Sequence, residues 1–154
     1  MKEIEHVNSY KAAEVKLTYV TKQKPSDRFK IKDSNDAAEL FFEIWNMETI
    51  EFIEEVKMVL LNRDNQVLGI ANISTGGISS SIIDTRVILQ YAIKSNATSV
   101  ILAHNHPSGN ASPSEADKHI TRKIRDALKT CDISLLDHLI ITKERGQNSI
   151  IDLV

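Results

Sequence analysis

The chain of 154 residues is poor in the residue types that mark several classes of protein: it has one cysteine, three prolines and no long uninterrupted apolar run. The single cysteine, Cys131, excludes an intramolecular disulfide and a cysteine-rich metal cluster, and we expect it to be a small buried residue. No apolar stretch approaches the roughly 20 residues of a membrane-spanning helix. The first residues, MKEIEHVNSY, carry frequent charges and lack the apolar centre of a secretory signal. We therefore predict a cytoplasmic protein.

An excess of one charge is also missing, since 19 Lys and Arg residues face 21 Asp and Glu residues, for a formal net charge of −2 at pH 7. The chain as a whole therefore lacks the basic character of a dedicated nucleic-acid-binding domain. Its 42% hydrophobic and 26% charged residues are typical of a globular protein. At this length we expect one folded domain over residues 34–154, preceded by an N-terminal strand and loop over residues 1–33.

Apolar periodicity predicts alternating strands and helices. Strands are expected at EVKLTYVT (14–21), EVKMVLLN (55–62), VLGIANIS (67–74), SVILAH (99–104) and ISLLDHLIIT (133–142). Helices are expected at 37–45, between Asp84 as cap and Asn96, and after Pro113 with an inner stripe that reaches Leu128. Two polar segments, STGGISSS (74–81) and ERGQN (144–148), are expected to be a tight loop and a short tail. This order predicts a single-domain α/β fold, a mixed β-sheet flanked by helices, with EVKMVLLN central because it is apolar on both faces.

The stretch HNHPSG, residues 104–109, follows a predicted buried strand. If the strand continues through residue 106, its period of two puts His104 and His106 on the same face. Asp117 lies in the first turn of the next predicted helix, from which its carboxylate can fold back toward the strand end. Two histidines and one aspartate supply three ligands and leave a fourth position open, as in catalytic zinc sites. Zinc is the leading candidate for this donor set, with manganese, iron and cobalt as competitors.

A catalytic zinc site needs a carboxylate near its water to accept a proton. Three of the glutamates that could serve are Glu54, Glu55 and Glu115. Glu55 stands at the start of the predicted central strand, where its side chain can reach the end of a neighbouring strand. Spacing alone does not choose among them.

Six segments of the chain stand out together: Glu55 with the following VKMVLLN, then STGGISSS, Asp84-Thr85-Arg86, HNHPSG, PSEAD and LLDHLIIT. They resemble the RadC-like members of the JAB1/MPN (JAMM) metallopeptidase superfamily, over roughly residues 34–143. The most specific match is His104-x-His106, seven residues, then Ser114-x-x-Asp117, which reproduces the superfamily's H-x-H-x7-S-x-x-D motif without a gap. The resemblance implies a JAB1/MPN domain, whose architecture is related to that of cytidine deaminases.

The resemblance also implies a role for each matched residue. His104, His106 and Asp117 would bind one Zn²⁺ ion. Glu55 would hold and deprotonate the water on the metal and pass the proton to the leaving amine, while Ser114 would donate a hydrogen bond to the developing oxyanion. The implied activity is hydrolysis of a peptide or isopeptide bond in a peptide or protein substrate.

Other interpretations of the same residues remain open. Ser114 and Asp117 also fit a capping box at a helix start. His138, on the last predicted strand, is expected to be a structural histidine or to support a metal ligand. A zinc deaminase is not expected, because its signature needs a Cys-x-x-Cys pair and the chain has one cysteine.

A basic stripe follows the candidate site. Lys118, Arg122, Arg125 and Lys129 recur at helical spacing, which indicates either a solvated outer face or a contact for phosphate. Together with this stripe, the resemblance to RadC-like proteins implies one alternative function, a DNA repair-associated protein that binds DNA. A catalytically silent interaction module that keeps the fold is the other.

Overall fold

The computed structural model describes residues 13–76 and 83–154. Its helices are α1 (Ser34–Ile44), α2 (Thr85–Lys94) and α3 (Glu115–Lys129), and its strands are β1 (Glu55–Leu61), β2 (Val67–Thr75), β3 (Ser99–Asn105), β4 (Ser134–Ile141) and β5 (Gln147–Ser149). Two single 3-10 turns, Pro25–Asp27 and Ile151–Leu153, complete the described elements. The first ten residues, which we used to argue against a secretory signal, and most of the predicted loop STGGISSS lie outside the described residues. No described helix is long and apolar enough to cross a membrane.

The strands form one mixed sheet in the order β2-β1-β3-β4-β5. β1 is antiparallel to both of its neighbours, β2 and β3, while β3 and β4 are parallel. A parallel pair needs a long crossover connection, and α3 supplies it between β3 and β4. The predicted α/β fold, a mixed sheet flanked by helices, is confirmed.

β1 separates two apolar cores, as its pattern predicted. Val59 and Leu61 face a cluster built with α1, and Met58 and Leu60 face a second cluster built with α2 and α3. All four side chains are buried. Because apolar side chains on both faces remove the strand from water, β1 is held in the interior of the sheet.

Each helix begins at a side chain that satisfies its first backbone N–H groups. Asp33 caps α1 by accepting from the N–H groups of residues 35 and 36, so the helix begins at Ser34, before the predicted start at residue 37. Asp84 caps α2 as predicted, and Ser114 caps α3. The cap of α3 matters most for function, because it fixes where that helix starts relative to the end of β3.

The strand predicted at residues 14–21 is wrong, because the structure forms none there. Val15, Leu17 and Val20 are 93%, 69% and 84% exposed. The segment touches β2 through Tyr19, whose hydroxyl donates a hydrogen bond to Leu68 O. Alternating apolar residues make a strand only when a neighbour supplies a ladder of backbone hydrogen bonds, and this segment has no such ladder within the described part of the chain.

The end of the chain, predicted as a polar tail, contributes a strand instead. Residues 147–149 of β5 pair with residues 139–141 of β4. Arg125 of α3 donates to Val154 O at 2.6 Å and so holds the C-terminal residue against the helix. A strand of three residues is too short to show a detectable alternation of apolar and polar positions.

Cys131 is exposed rather than buried as predicted. It lies in the turn after α3, where Asp132 adopts a positive φ of 56°. Ile133, two residues later, enters the core in its place.

Candidate metal centre

The end of β3 and the start of β1 meet at one edge of the sheet because the two strands are antiparallel. His104 is paired with Val56 there and is only 2% exposed. β3 ends at Asn105 rather than at residue 106. His106 nevertheless keeps its ring beside that of His104, with ring centroids 4.8 Å apart. The predicted juxtaposition of the two histidines is therefore present.

Three side chains converge at this edge. His104 Nε2 lies 2.9 Å from His106 Nε2. The Asp117 carboxylate lies beside both rings, with Oδ1 3.4 Å from His104 Nε2 and Oδ2 3.3 Å from His106 Nε2. Two atoms that bond a tetrahedral zinc at about 2.0–2.1 Å stand about 3.3 Å apart. The two histidine–aspartate separations match this value and the histidine–histidine separation is slightly shorter, so this donor set fits a single zinc ion.

A chain of hydrogen bonds fixes which nitrogen of His104 carries the proton. Thr121 donates its one hydroxyl hydrogen to Asp117 O at 2.6 Å, so His138 Nδ1, 2.7 Å from the same hydroxyl oxygen, must donate to it. Burial lowers the pKa of His138 well below its usual value, so the ring is neutral and its Nε2 accepts. His104 Nδ1 therefore donates to His138 Nε2 at 2.8 Å. The lone pair of His104 Nε2 is left facing His106 and Asp117.

His106 is oriented by the turn that follows it. Gly109 adopts a positive φ of 76°, and the chain folds back so that Asn110 O lies 2.6 Å from His106 Nδ1. A carbonyl oxygen only accepts, so Nδ1 carries a proton, and Nε2 is bare whenever the ring is neutral. Two lone pairs and a carboxylate then face one another across about 3 Å, an arrangement that repels unless a cation lies between them.

The pKa shifts of His106 and Asp117 also indicate that the site favours a positive charge. A proton added to His106 Nε2 would form a hydrogen bond to Asp117, which raises the pKa of His106 above its ordinary value. Burial by itself would raise the pKa of Asp117, but the rings of His104 and His106, when they carry this extra proton, outweigh burial and hold that pKa well below its usual range. The carboxylate is therefore ionised at neutral pH. A proton or a metal ion satisfies the three groups.

Glu54 is the glutamate whose carboxylate lies close to the two histidines. A carboxylate oxygen of Glu54 and one ring nitrogen of each of His104 and His106 lie within 4.8 Å of one another, a group able to hold a metal ion. Side chains alternate between faces along an extended chain. Glu54 therefore shares the face of Val56, which is paired with His104. The sequence indicated Glu54 as one of several available acids but did not select it.

Glu55, expected to be the acid beside the metal, points to the opposite face of the sheet. Its Oε1 lies 3.4 Å from Lys57 Nζ. The same ammonium group donates to Asn72 Oδ1 at 2.7 Å and lies 5.1 Å from the centre of the Trp45 ring, at the end of α1. The structure thus does not bring Glu55 to the histidines, and its carboxylate instead neutralises a buried lysine.

Ser114 lies at the start of α3 in the capping box that the sequence allowed as an alternative. Its Oγ accepts from Asp117 N at 3.1 Å, and Ser114 N donates to Asp117 Oδ2 at 2.7 Å. The capping and metal-site interpretations are compatible, because the bonds that start the helix also hold the carboxylate of Asp117 toward the histidine rings. Ser114 itself is exposed at the rim of the site.

The basic stripe on α3 is partly engaged within the protein. Lys118 Nζ lies 2.8 Å from Glu115 Oε1, and Arg125 donates to the carbonyl of the C-terminal residue. Arg122 and Lys129 are exposed. Two of the four side chains therefore make contacts within the protein and two are exposed, and DNA binding stays a prediction.

Comparison with known proteins finds related chains that are named UPF0758 proteins. A UPF0758 protein of Flavobacterium johnsoniae is 46% identical over 92 residues, which are 60% of this chain and 40% of the relative. A UPF0758 protein of Clostridium kluyveri is 43% identical over 118 residues, 77% of this chain and 50% of the relative. A third, from Escherichia coli (strain K12), is 46% identical over 88 residues, 57% of this chain and 55% of the relative. The chain spans about half the length of the curated relatives it matches.

One family model matches most of the chain. The family model described as the RadC-like JAB domain matches residues 31–152. That range contains every residue of the site described above. The chain belongs to the RadC-like JAB domain family.

Proposed function

We propose that the chain is a zinc-dependent hydrolase that cleaves a peptide or isopeptide bond. The observation that supports this most is the convergence of His104 Nε2, His106 Nε2 and the Asp117 carboxylate, with hydrogen bonds that leave both nitrogens bare. Three protein donors leave one position of a tetrahedral zinc open, as in catalytic sites. Nitrogen and oxygen donors without a thiolate favour zinc, with manganese, iron and cobalt as competitors.

Glu54 takes the role of general base and then general acid in this proposal. A bound zinc ion supplies Lewis acidity and a water whose pKa is lowered to about 7. The Glu54 carboxylate accepts the proton of the attacking water as its oxygen bonds to the amide carbon. It delivers that proton to the amide nitrogen as the C–N bond breaks, which releases a carboxylic acid and an amine. Glu54 is chosen over Glu55 because its carboxylate lies with the two histidines.

Ser114 and Asp117 work from the start of α3. Ser114 donates a hydrogen bond to the carbonyl oxygen as negative charge develops there, a contribution that in other enzymes is worth about 10²–10³ in kcat for one donor. The capping bonds between Ser114 and Asp117 hold both side chains in fixed positions. The helix start therefore organises a ligand and an oxyanion donor together.

Family membership supports a peptide or protein as substrate, because the JAB superfamily includes metallohydrolases. The names of the relatives state no activity, and the chain spans about half their length. The amide bond that is cleaved, and its attachment to a main chain or to a lysine side chain, are part of the proposal.

Metal analysis of the purified chain tests the ligand set. We expect one zinc per wild-type chain, lost on treatment with a strong chelator and regained on addition of zinc. Asp117→Asn should lose the metal, while Asp126→Asn, which changes an exposed acid on the same helix, should keep it. A wild-type protein without stoichiometric transition metal would contradict the proposal.

Hydrolysis is tested on a panel of peptides and of lysine-linked isopeptides, with release of new amine as the readout. We expect cleavage that the chelator abolishes and zinc restores. A wild-type chain that holds zinc and cleaves no member of either set would instead favour a catalytically silent interaction module.

A further inference from the structure

Asn105, between the two histidines, has its side chain on the other face of the sheet. It is fully buried, and its amide makes three hydrogen bonds to the loop that leads into β1. Oδ1 accepts from Glu55 N at 2.8 Å, and Nδ2 donates to Ile50 O at 2.6 Å and Ile53 O at 2.8 Å. The orientation of the amide is unambiguous, because an N–H must meet the oxygen and two carbonyls must meet the NH₂ group.

Two of these bonds enclose one residue. The carbonyl of Ile53 belongs to the peptide group before Glu54, and the N–H of Glu55 belongs to the peptide group after it. Glu54 O itself accepts from Gly76 N at 2.8 Å on β2's side. The backbone of Glu54 is thus fixed to β3 by one side chain and to the end of β2 by one backbone bond.

We infer that Asn105 is a positioning residue that sets the Glu54 carboxylate relative to His104 and His106. The inference rests on the proposed function, in which Glu54 is the acid beside the metal. Asn105 stands between the two histidines in the chain, so any movement of the histidine backbone carries the Glu54 peptide groups with it. No ligand of the proposed site lies on the loop 50–53, so Asn105 acts on the base and not on the metal donors.

If Asn105 had only a structural role, the effect of replacing it would not depend on Glu54. A buried Asn that only satisfies backbone groups lowers stability when replaced, whatever the nature of residue 54. A positioning role makes the effect of Asn105 depend on Glu54, because the loop position matters to the site only through that carboxylate. Two residues that act through each other show non-additive effects in a double-mutant cycle.

The test uses the full chain and Co²⁺ alone as the probe. Co²⁺ titration followed by visible absorption gives both the affinity and the coordination spectrum of wild type, Glu54→Gln, Asn105→Ala and the double variant. We expect Glu54→Gln to change the spectrum and weaken binding about tenfold, as residues supporting metal ligands do. Asn105→Ala should give a change of similar kind and size. In the Glu54→Gln background, the Asn105 substitution should add less than about twofold.

Asn62 offers a matched control at the opposite end of β1. Its side chain also makes three hydrogen bonds within a loop, to Asp64 N, Gln66 N and Gln66 Oε1. Asn62→Ala should lower the melting temperature and leave the Co²⁺ spectrum and affinity unchanged. An equal effect of Asn105→Ala with and without Glu54, or no effect in either background, would overturn the inference while leaving the metal site standing.

Two further measurements keep the inference testable whatever Asn105→Ala does to folding. Asn105→Asp preserves the size of the side chain and the acceptor for Glu55 N, but loses both donated bonds. It should change the Co²⁺ spectrum as Glu54→Gln does.

In the wild-type protein, hydrogen exchange at the Glu55 amide should be strongly slowed, and exchange at the rate of an open amide would overturn the inference. A wild type that binds no Co²⁺, or a Glu54→Gln variant with an unchanged spectrum, would instead refute the proposed function on which the inference depends.

Discussion

At the edge where β1 starts and β3 ends, each face of the sheet carries a glutamate and a second polar residue, and the two pairs make different contacts. On the α2 and α3 face, Glu54 and His104 belong to a group that can hold a metal ion. On the α1 face, one residue further along each strand, Glu55 neutralises Lys57 and Asn105 holds the loop. Neighbouring residues of an extended chain point to opposite faces of the sheet, so the face that a glutamate occupies decides which groups its carboxylate contacts. A shift of one residue in the register of β1 would exchange the acid beside the two histidines for a partner of a buried lysine.

The largest expected effect distinguishes the two neighbouring glutamates. Glu54→Gln should reduce kcat by about 10²–10⁴, because it removes the proton acceptor and donor. Glu55→Gln should leave kcat within a few-fold of wild type, since that side chain faces Lys57. The measurement is turnover on any amide substrate that the wild type cleaves. Loss of turnover in Glu55→Gln, with Glu54→Gln active, would restore the assignment that the family motif implied.

The second prediction compares a histidine inside the proposed metal site with an exposed histidine outside it. His106→Ala should weaken zinc binding by about 10²–10⁴, if some 10–16 kcal/mol of binding is shared among the three protein ligands. His119→Ala, which changes an exposed histidine on α3, should leave zinc affinity unchanged. Competition with a coloured chelator measures both constants. Equal affinities for the two variants would remove His106 from the ligand set.

The third prediction concerns the buried hydrogen-bond chain behind His104. Thr121→Val removes the hydroxyl that accepts from His138 Nδ1. The proton of His104 is then no longer fixed on Nδ1, so zinc affinity should fall about 10–100-fold. Thr98→Val is the matched control, because Thr98 Oγ1 is buried with no hydrogen-bond partner among the described residues. Nitrogen chemical shifts of the histidine rings should show the proton of His104 on Nδ1 in wild type. A proton on Nε2 would contradict the order of the chain.

The smallest expected effect lies on the α1 face and concerns stability alone. Glu55→Gln should lower the free energy of unfolding by about 1–3 kcal/mol, because Lys57 is left buried without its counter-charge. Adding Lys57→Met should recover most of that loss, since it removes the unpaired charge. Denaturant unfolding at pH 7 measures both. Zinc affinity should stay constant throughout, and a drop in affinity would mean that the two faces are not independent.

The residues that sequence reasoning assigned correctly are those whose relations are local. The cap at Ser114, the helical repeat of α3 and the two-residue gap between His104 and His106 each depend on neighbours in the chain. Apolar residues on both faces of β1 likewise predicted a central strand. Local geometry fixes these features, so a single sequence is enough to find them.

The remaining features depend on which strands pair and in what register. Glu54 is favoured over Glu55 only once Val56 is known to be paired with His104. The alternating segment 14–21 contains the pattern of a strand, but no strand pairs with it along its backbone. Thr121 was assigned no role in the site, since its hydroxyl meets His138 only after α3 packs on β4. Pairing and packing are relations between distant residues, which alternation within one segment does not encode.

The grouping of His104, His106 and Asp117 within residues 104–117 has a consequence for how the protein would acquire the proposed metal. Closing so short a loop costs little chain entropy, so the unfolded chain can also bind the ion. Metal then stabilises the fold by less than its affinity for the native protein implies, because only the difference between the two states counts. Glu54, by contrast, reaches the site only when β1 pairs with β3. Under the proposed function, an ion bound early in folding would therefore lie beside the 104–117 loop without a base, and Glu54 would join it only when β1 pairs with β3.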